Sequence, residues 1–470
     1  MAALIGRFGF RPSVVWLAFG IAVVGPVSAA AGQDKRPITF TKDVAPILQE
    51  KCVQCHRPGE MAPMSLRTFQ EVRPWARSIK NKVSKREMPP WFIDRNIGIQ
   101  MFKNDASLTD AQIATIVKWV DAGAQEGNAA DMPGQRAFPD TAGWAIGKPD
   151  LIITQEKPFR MYASGSDWWE TFSVDTGLTE DRWIKGVQLK PGNPKIVHHF
   201  CAGPVPPGAR NPAGQNPVAA QDQYTEIAQQ QAEEDRQAAG ESNVGTGAPS
   251  FGCALPGRAA VFFPEGTGIL MKTGSRLSFQ MHYSASGEEA TDQSSVGFIF
   301  YPKDAPPKNQ IMGAYFQKFP AFELDIPPNS RVEHDAYFLL QKPTRLLSFT
   351  PHMHRRGIAL VLEAILPTGR VQTLSAVDKY DFNWQLEYIF DDDVAPLLPA
   401  GTMLHAVVAH DNTAANPRNP DPNRWVGYGQ SSIEEMAGTF ASWLYLDDAE
   451  YRQQVVERRA KERAARSQQQ

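Results

Sequence analysis

Arg276-Leu277-Ser278-Phe279-Gln280-Met281-His282-Tyr283 alternates polar and apolar residues one by one. Successive side chains of an extended chain point to opposite faces, so Leu277, Phe279, Met281 and Tyr283 share one face and Ser278, Gln280 and His282 the other. Such a run is a strand with one buried face. Similar short runs stand at Val187–Leu189, Ser295–Tyr301, Arg345–Thr350 and Ile358–Leu366, separated by Pro and Gly clusters. This texture starts near residue 148 and fills about 300 residues. It predicts two all-β, jelly-roll-like sandwiches, 148–305 and 306–448.

Upstream, residues 36–127 read as a small all-α unit. Over Leu108–Trp119 the apolar residues Ile113, Ile116, Val117 and Val120 recur at helical spacing. Thr109 and Gln112 make a capping box, and Gly123 a stop. Residues 128–147 mix Pro, Gly, Asp and Ala without periodicity and read as a linker. The stretch 217–245, rich in Gln, Ala and Glu, reads as a surface insertion, and 449–470 as a charged helical tail with a solvated face. The whole is a multidomain chain. Its 470 residues, 42% hydrophobic and 21% charged, have the composition of a folded globular protein. A net charge of −3 gives no sign of a nucleic-acid partner.

Residues 1–31 look like an export signal. Arg7 and Arg11 precede the apolar run Val14–Val24, and the small residues Ser28 to Ala31 follow. That run is too short to span a bilayer, which takes about 20 residues; an uncleaved anchor is the rival reading. The expected location is the periplasm or another exported compartment, with no stable membrane span after cleavage.

Cys52-Val53-Gln54-Cys55-His56 is a CxxCH motif. Its two thiols add across the vinyl groups of one haem c, and the histidine becomes an axial iron ligand. A chance match or a metal knuckle is the bland alternative. With one such motif, a di-haem protein is excluded. A methionine is expected as sixth ligand, and Met61, Met64, Met88 and Met101 are the candidates. Met88-Pro89-Pro90-Trp91 followed by the 108–120 helix resembles the order in class I cytochrome c domains, which favours Met88. The remaining cysteines, Cys201 and Cys253, would meet an oxidising compartment, where a disulfide is the default.

The histidines are unevenly placed: His198-His199 are adjacent, His352-Met353-His354 are spaced by one, and His282 stands alone. Residues two apart on a strand share a face and can grip one metal. Adjacent residues splay apart, so His198 and His199 could bind one ion only at a strand end or bulge. Taken singly, each is more often a hydrogen-bonded structural residue. Imidazole suits copper, zinc, iron or nickel. Blue copper is set aside because no cysteine lies in a suitable ligand loop.

His198-His199, Gln280-Met281-His282-Tyr283, Pro351-His352-Met353-His354 and Glu434-Glu435-Met436 follow one another in an order that resembles the copper type II, ascorbate-dependent monooxygenases. These are the relatives of the peptidylglycine α-hydroxylating and dopamine β-monooxygenases. The resemblance covers about 148–448 and includes the surroundings of Cys201 and Cys253 and the run Phe262-Phe263-Pro264-Glu265-Gly266. It implies one copper on His198, His199 and His282 for electron transfer, and a second on His352, His354 and Met436 where oxygen binds. It also places Gln280 and Tyr283 beside the first copper. Thioether softness favours Cu(I), the state that meets O2. There are departures. An arginine that anchors a substrate carboxylate in the peptide-amidating enzyme is replaced by Thr350, so peptidyl-glycine is not the expected substrate. Only Cys201–Cys253 could form among the disulfides of the animal enzymes, and the insertion between them has no counterpart. His334, His405 and His410 match no ligand position, with His410, before Asp411-Asn412, the one candidate behind the ligands.

The implied activity is a haem-fed copper monooxygenase that hydroxylates a C–H bond of a small organic molecule with O2, supplied by a periplasmic or respiratory electron donor. One rival is a non-catalytic haem/copper electron-transfer or copper-binding protein. Another is a hydrolytic zinc protein, against which a methionine ligand argues.

Overall fold

The computed structural model describes residues 36–58, 62–137, 143–165, 167–209, 249, 251–254, 260–318, 323–429 and 431–468. The export segment, Met61 and the 217–245 insertion lie outside the described residues. The chain is mostly β-sheet. Among the described residues the strands form sheets of ten, five, four and two strands.

The ten-stranded sheet runs through both β regions, because Thr267–Met271 pairs in parallel with Asn309–Gln317 across the expected boundary. Its upstream part is faced by the four-stranded sheet, in which Arg276–Tyr283 lies between Trp168–Asp175 and Val197–Val205. Leu277, Phe279, Met281 and Phe200 from that sheet meet Ile184, Val187, Val296 and Phe298 from the other, all buried. The downstream part is faced by the five-stranded sheet, and Phe338, Leu360, Leu362 and Leu404 meet Phe316, Phe349 and Trp443. Burying each such side chain contributes roughly 1.5–3 kcal/mol. Ile311, Leu347, Leu444 and Leu446 belong to the upstream core although they follow residue 306. The two sandwiches are therefore fused through a common sheet.

The helical part has its own core of Phe40, Leu48, Val72, Ile79, Val83, Ile116 and Trp119. Its last helix, Asp110–Asp121, carries the expected capping box, with Gln112 N–H donating to Thr109 Oγ1 at 3.1 Å and Thr109 N–H to Gln112 Oε1 at 2.9 Å. Gly123 follows with φ +91°. Residues 36–127 are not all-helical, however. Ile93–Gly98 is a strand at the edge of the five-stranded sheet, paired with Val371–Val377. Its flanking aromatics explain the capture: Trp91 meets Tyr388 edge-on at 5.0 Å, and Phe102 stacks on Phe390 at 5.3 Å. These apolar side chains find their partners in the downstream sandwich instead of the helical core.

The stretch expected as a linker is pinned at its end, where Ala145 and Ile146 N–H donate to Gln188 Oε1 at 2.6 and 3.3 Å. The tail is a helix, Asp448–Gln468, anchored by Lys461 on Asp393 at 2.7 Å and by Arg458 on the Ala395 carbonyl. Cys201 and Cys253 are joined in a disulfide between neighbouring strands. Among the described residues no helix is long and apolar enough to cross a membrane.

On the Arg276–Tyr283 strand the polar face behaves unexpectedly. Gln280 is exposed as its position predicts, yet His282, two residues on, is completely buried.

Candidate metal centres

His282 is covered by other histidines. His199 lies opposite His282 in the sheet, and the next pair is Tyr283 with Val197. His198 is thus the extra residue of a β-bulge, which turns its side chain to the side that His199 occupies. The two Nδ1 atoms are 3.1 Å apart. One ring nitrogen from each of His198, His199 and His282 lies within 4.8 Å of the others. Trp169, opposite His282 on the neighbouring strand, stacks on its ring at 3.8 Å.

Burial, followed by the charge of His282, pushes His198 down to about 4. Burial likewise holds His199 well below the ordinary imidazole value. Both are neutral at pH 7 and keep a lone pair for a metal. His282 Nε2 lies 3.1 Å from Asp167 Oδ2, and its Nδ1 is buried with no hydrogen-bond partner. Leaving a buried polar atom unsatisfied costs roughly 1–3 kcal/mol, which a cation among the three rings would offset. The residues fit a metal ion.

The second group is built differently. His352 ends the Thr344–His352 strand, Met353 turns into the downstream core, and His354 follows beyond the strand. The two rings are perpendicular, 5.5 Å apart. Each is oriented from behind: His352 Nδ1 bonds Gln385 Oε1 at 2.7 Å and His354 Nδ1 bonds the Glu434 carbonyl at 3.1 Å. A carbonyl only accepts, so the His354 proton is on Nδ1 and the lone pair on Nε2. That Nε2 is buried with no partner. Burial pushes His352 to about 4 and His354 to about 3.

The segment that carries Met436 is tied to this pair by its neighbours. Glu435 accepts from His354 N–H at 2.8 Å and Arg356 N–H at 2.6 Å. Gly438, two residues beyond Met436, pairs with His352. Met436 is buried, and its carbonyl accepts from His410 Nε2 at 3.1 Å. His410 therefore stands behind the segment and not in it. The buried Arg356 adds support, with Nε on Asn412 Oδ1 at 2.8 Å and Nη1 on the Ile433 carbonyl at 2.9 Å.

Phe382 stacks on His198 at 5.7 Å and meets His354 edge-on at 5.8 Å. A polar contact also crosses, from Ser432 Oγ to Asp167 Oδ2 at 3.3 Å.

The CxxCH segment lies in the helical part. Cys52 ends the Ala45–Lys51 helix, and the N–H groups of Cys55 and His56 both donate to its carbonyl, at 3.1 and 2.9 Å. Burial pushes the Cys52 thiol up to about 12. His56 Nδ1 donates to the Met64 carbonyl at 3.2 Å, which leaves the Nε2 lone pair for iron. These residues fit a covalent haem. Met88 lines a cavity of about 180 Å3 between the helical part and the downstream sandwich, together with Val83, Leu108 and Lys379. His56 is not among that cavity's lining residues. Met64 packs against the helical core, and Met101 is 52% exposed.

Other expectations land elsewhere. Tyr283 faces the upstream core, its hydroxyl donating to Asp292 at 3.0 Å and its ring stacked on Phe159, so it is on the opposite face from His282. Strand alternation requires this. His405 is held by Asp335 and Glu363 at 2.7 and 3.2 Å, away from both groups. His334 lies beside His410, 5.5 Å between rings. The sequence reading did not single out Asp167, Trp169, Phe382, Gln385 or Glu435. Of these, Glu435 alone sat inside a quoted motif; Phe382 and Gln385 lie in a loop without periodicity.

No family model matches the chain, and no curated protein matches it. Among solved structures it is similar to the major capsid protein P2 of bacteriophage PM2, at 9% identity and a TM-score of 0.26, over 62% of this chain and 97% of that one. It is also similar to infectious bursal disease virus Gx strain, at 8% identity and a TM-score of 0.15, over 68% of this chain and 86% of that one. Likeness at these scores carries no argument about activity.

Proposed function

We propose that this chain is an exported, haem-fed copper monooxygenase that hydroxylates a C–H bond of a small organic substrate with O2. The observation that carries the reading is the pair of imidazole groups, one of three converging rings and one with its two rings held from behind, with the ring of Phe382 touching both. When bound, two copper ions store two electrons and offer a place for oxygen, and a haem passes electrons one at a time.

The chain's own residues do the rest. His198, His199 and His282 would hold the relay ion; their bulge and cross-strand geometry fixes the rings. His352 and His354 would hold the second, with Met436 as the soft third donor. Gln385 and the Glu434 carbonyl fix which nitrogen of each ring is free. Trp169 and Phe382 keep water from the rings. Thr350 offers no cation to a substrate carboxylate, which favours a neutral substrate. Cys52, Cys55 and His56 would carry the haem, with Met88 proposed as its sixth ligand.

The test is metal and haem content of protein matured in an exporting host, followed by O2 uptake with reductant and a panel of neutral substrates. Two copper and one haem per chain with oxygenated product supports the proposal. Full loading with O2 uptake and no product from any substrate favours the electron-transfer alternative, and zinc in place of copper rejects the chemistry.

A further inference from the structure

We infer that Asp167 and Ser432 form a positioning link between the two histidine groups, through which one turn, 431–435, orients a ring in each. The inference rests on the reading of those groups as metal centres.

Consecutive residues of that turn all bond toward the groups. Ser432 Oγ donates to Asp167 Oδ2 at 3.3 Å, and the same oxygen lies 3.1 Å from His282 Nε2. The Ile433 carbonyl accepts from Arg356 Nη1 at 2.9 Å. The Glu434 carbonyl holds His354 Nδ1 at 3.1 Å, and the Glu435 carboxylate accepts the N–H of His354 at 2.8 Å. His282 and His354 belong to different sandwiches, yet the residues that steady them, Ser432 and Glu434, stand two apart.

Both ends of the link are firm. Glu434 N–H donates to the Ser431 carbonyl at 2.9 Å, and Ser431 N–H donates back to Glu434 Oε2 at 3.3 Å. The Glu435 backbone is tied to Gly427 and Gly429, each at 3.1 Å. At the other end, Asp167 immediately precedes the Trp168–Asp175 strand, whose Trp169 stacks on the His282 ring. A carboxylate oxygen accepts and does not donate, so Asp167 favours the His282 tautomer with its proton on Nε2. That leaves the lone pair on the buried, unpartnered Nδ1.

An ion that draws on His282 Nδ1 fixes the ring, and with it the position of Asp167. Ser432 passes that order to the turn that holds His354. Coupling between two binding sites is reciprocal, so an ion at either centre favours the other by the same factor. The link is a few-fold effect, and each centre still loads alone.

The test uses the full chain and three variants: Ser432→Ala, Asp167→Ala, and the two combined. Cu(I) affinity of the second centre and the Cu(II) paramagnetic resonance spectrum of the first are measured in each. Ser432→Ala touches no histidine, yet it should weaken the second centre about threefold and shift the copper hyperfine splitting of the first. Asp167→Ala should weaken the first centre about tenfold, the range for losing a ligand's orienting partner. Adding Ser432→Ala to it should change neither reading further, because the link is already cut. Ser432→Thr keeps the hydroxyl and should restore both readings. A Ser432→Ala protein with both centres unchanged, or effects that simply add in the combined variant, overturns the link and leaves the centres standing. An unaltered chain that binds no copper overturns the metal reading, and this inference falls with it.

Discussion

The two histidine groups differ in what holds them. At the first, the sheet does the work. A bulge, a cross-strand pair and a stacked tryptophan converge three rings until their nitrogens are within 4.8 Å, and no hydrogen bond competes for His282 Nδ1. At the second, the strand has already ended, the two rings stand at 89°, and each is aimed by a hydrogen bond from behind. A closed site suits an ion that changes charge without changing ligands. A site with two aimed donors, with Met436 proposed as a third, would leave coordination positions for an outside molecule. Under the proposed function, what orients each histidine is the difference that would separate a relay site from a reaction site.

The strongest way to break this contrast is to remove the helical part's cofactor. Cys52→Ala with Cys55→Ala should abolish covalent haem entirely, checked by acid–acetone extraction, while both centres keep their copper. Copper loss in that variant would mean that the centres are not self-contained. Next in size, His282→Ala should cost the first centre its ion, one copper equivalent per chain by metal analysis, and leave the second loaded. Loss of both would show that the sites fill as one.

Met436→Ile keeps bulk and removes the sulfur. Cu(I) affinity at the second centre should fall roughly 10- to 100-fold, with O2-dependent oxidation falling too and haem reduction unchanged. Unaltered Cu(I) binding would remove Met436 from the ligand set. Gln385→Leu attacks the support behind His352 and should weaken the second centre about tenfold, since losing an orienting partner typically costs 10–100-fold in affinity. The first centre, which Gln385 does not touch, should not respond.

How much of this could be read in advance follows the range of the interactions. The capping box at Thr109 and Gln112 and the alternation at Arg276–Tyr283 are local, and both were legible. The adjacency of His198 and His199 demanded a bulge or strand end, and a bulge is there. The spacing of His352 and His354 suggested one strand face, whereas the strand stops at His352 and Met353 is drawn into the core. Capture of Ile93–Gly98 by the downstream sheet was not legible, because its partners Ser375 and Val377 lie far along the chain. Asp167 and Phe382 were missed for the same reason. Each becomes informative only when the sheet brings a distant histidine to it.

The smallest expected effect is the most direct test of how the two groups are joined. Phe382 is buried and touches both, flat against His198 and edge-on to His354. Phe382→Leu keeps most of the volume, so its cost in stability should stay below about 1.5 kcal/mol in a denaturant titration. The ring contacts differ in kind, and so should their loss. Removing the stacked face frees His198, whose place depends on a bulge and on packing, and the first centre's Cu(II) spectrum should broaden. His354 keeps its bond to the Glu434 carbonyl at 3.1 Å, so the second centre should change less. Equal disturbance at both centres would mean that packing, and not hydrogen bonding, orients His354, and the contrast between the two groups would fail at its most specific point.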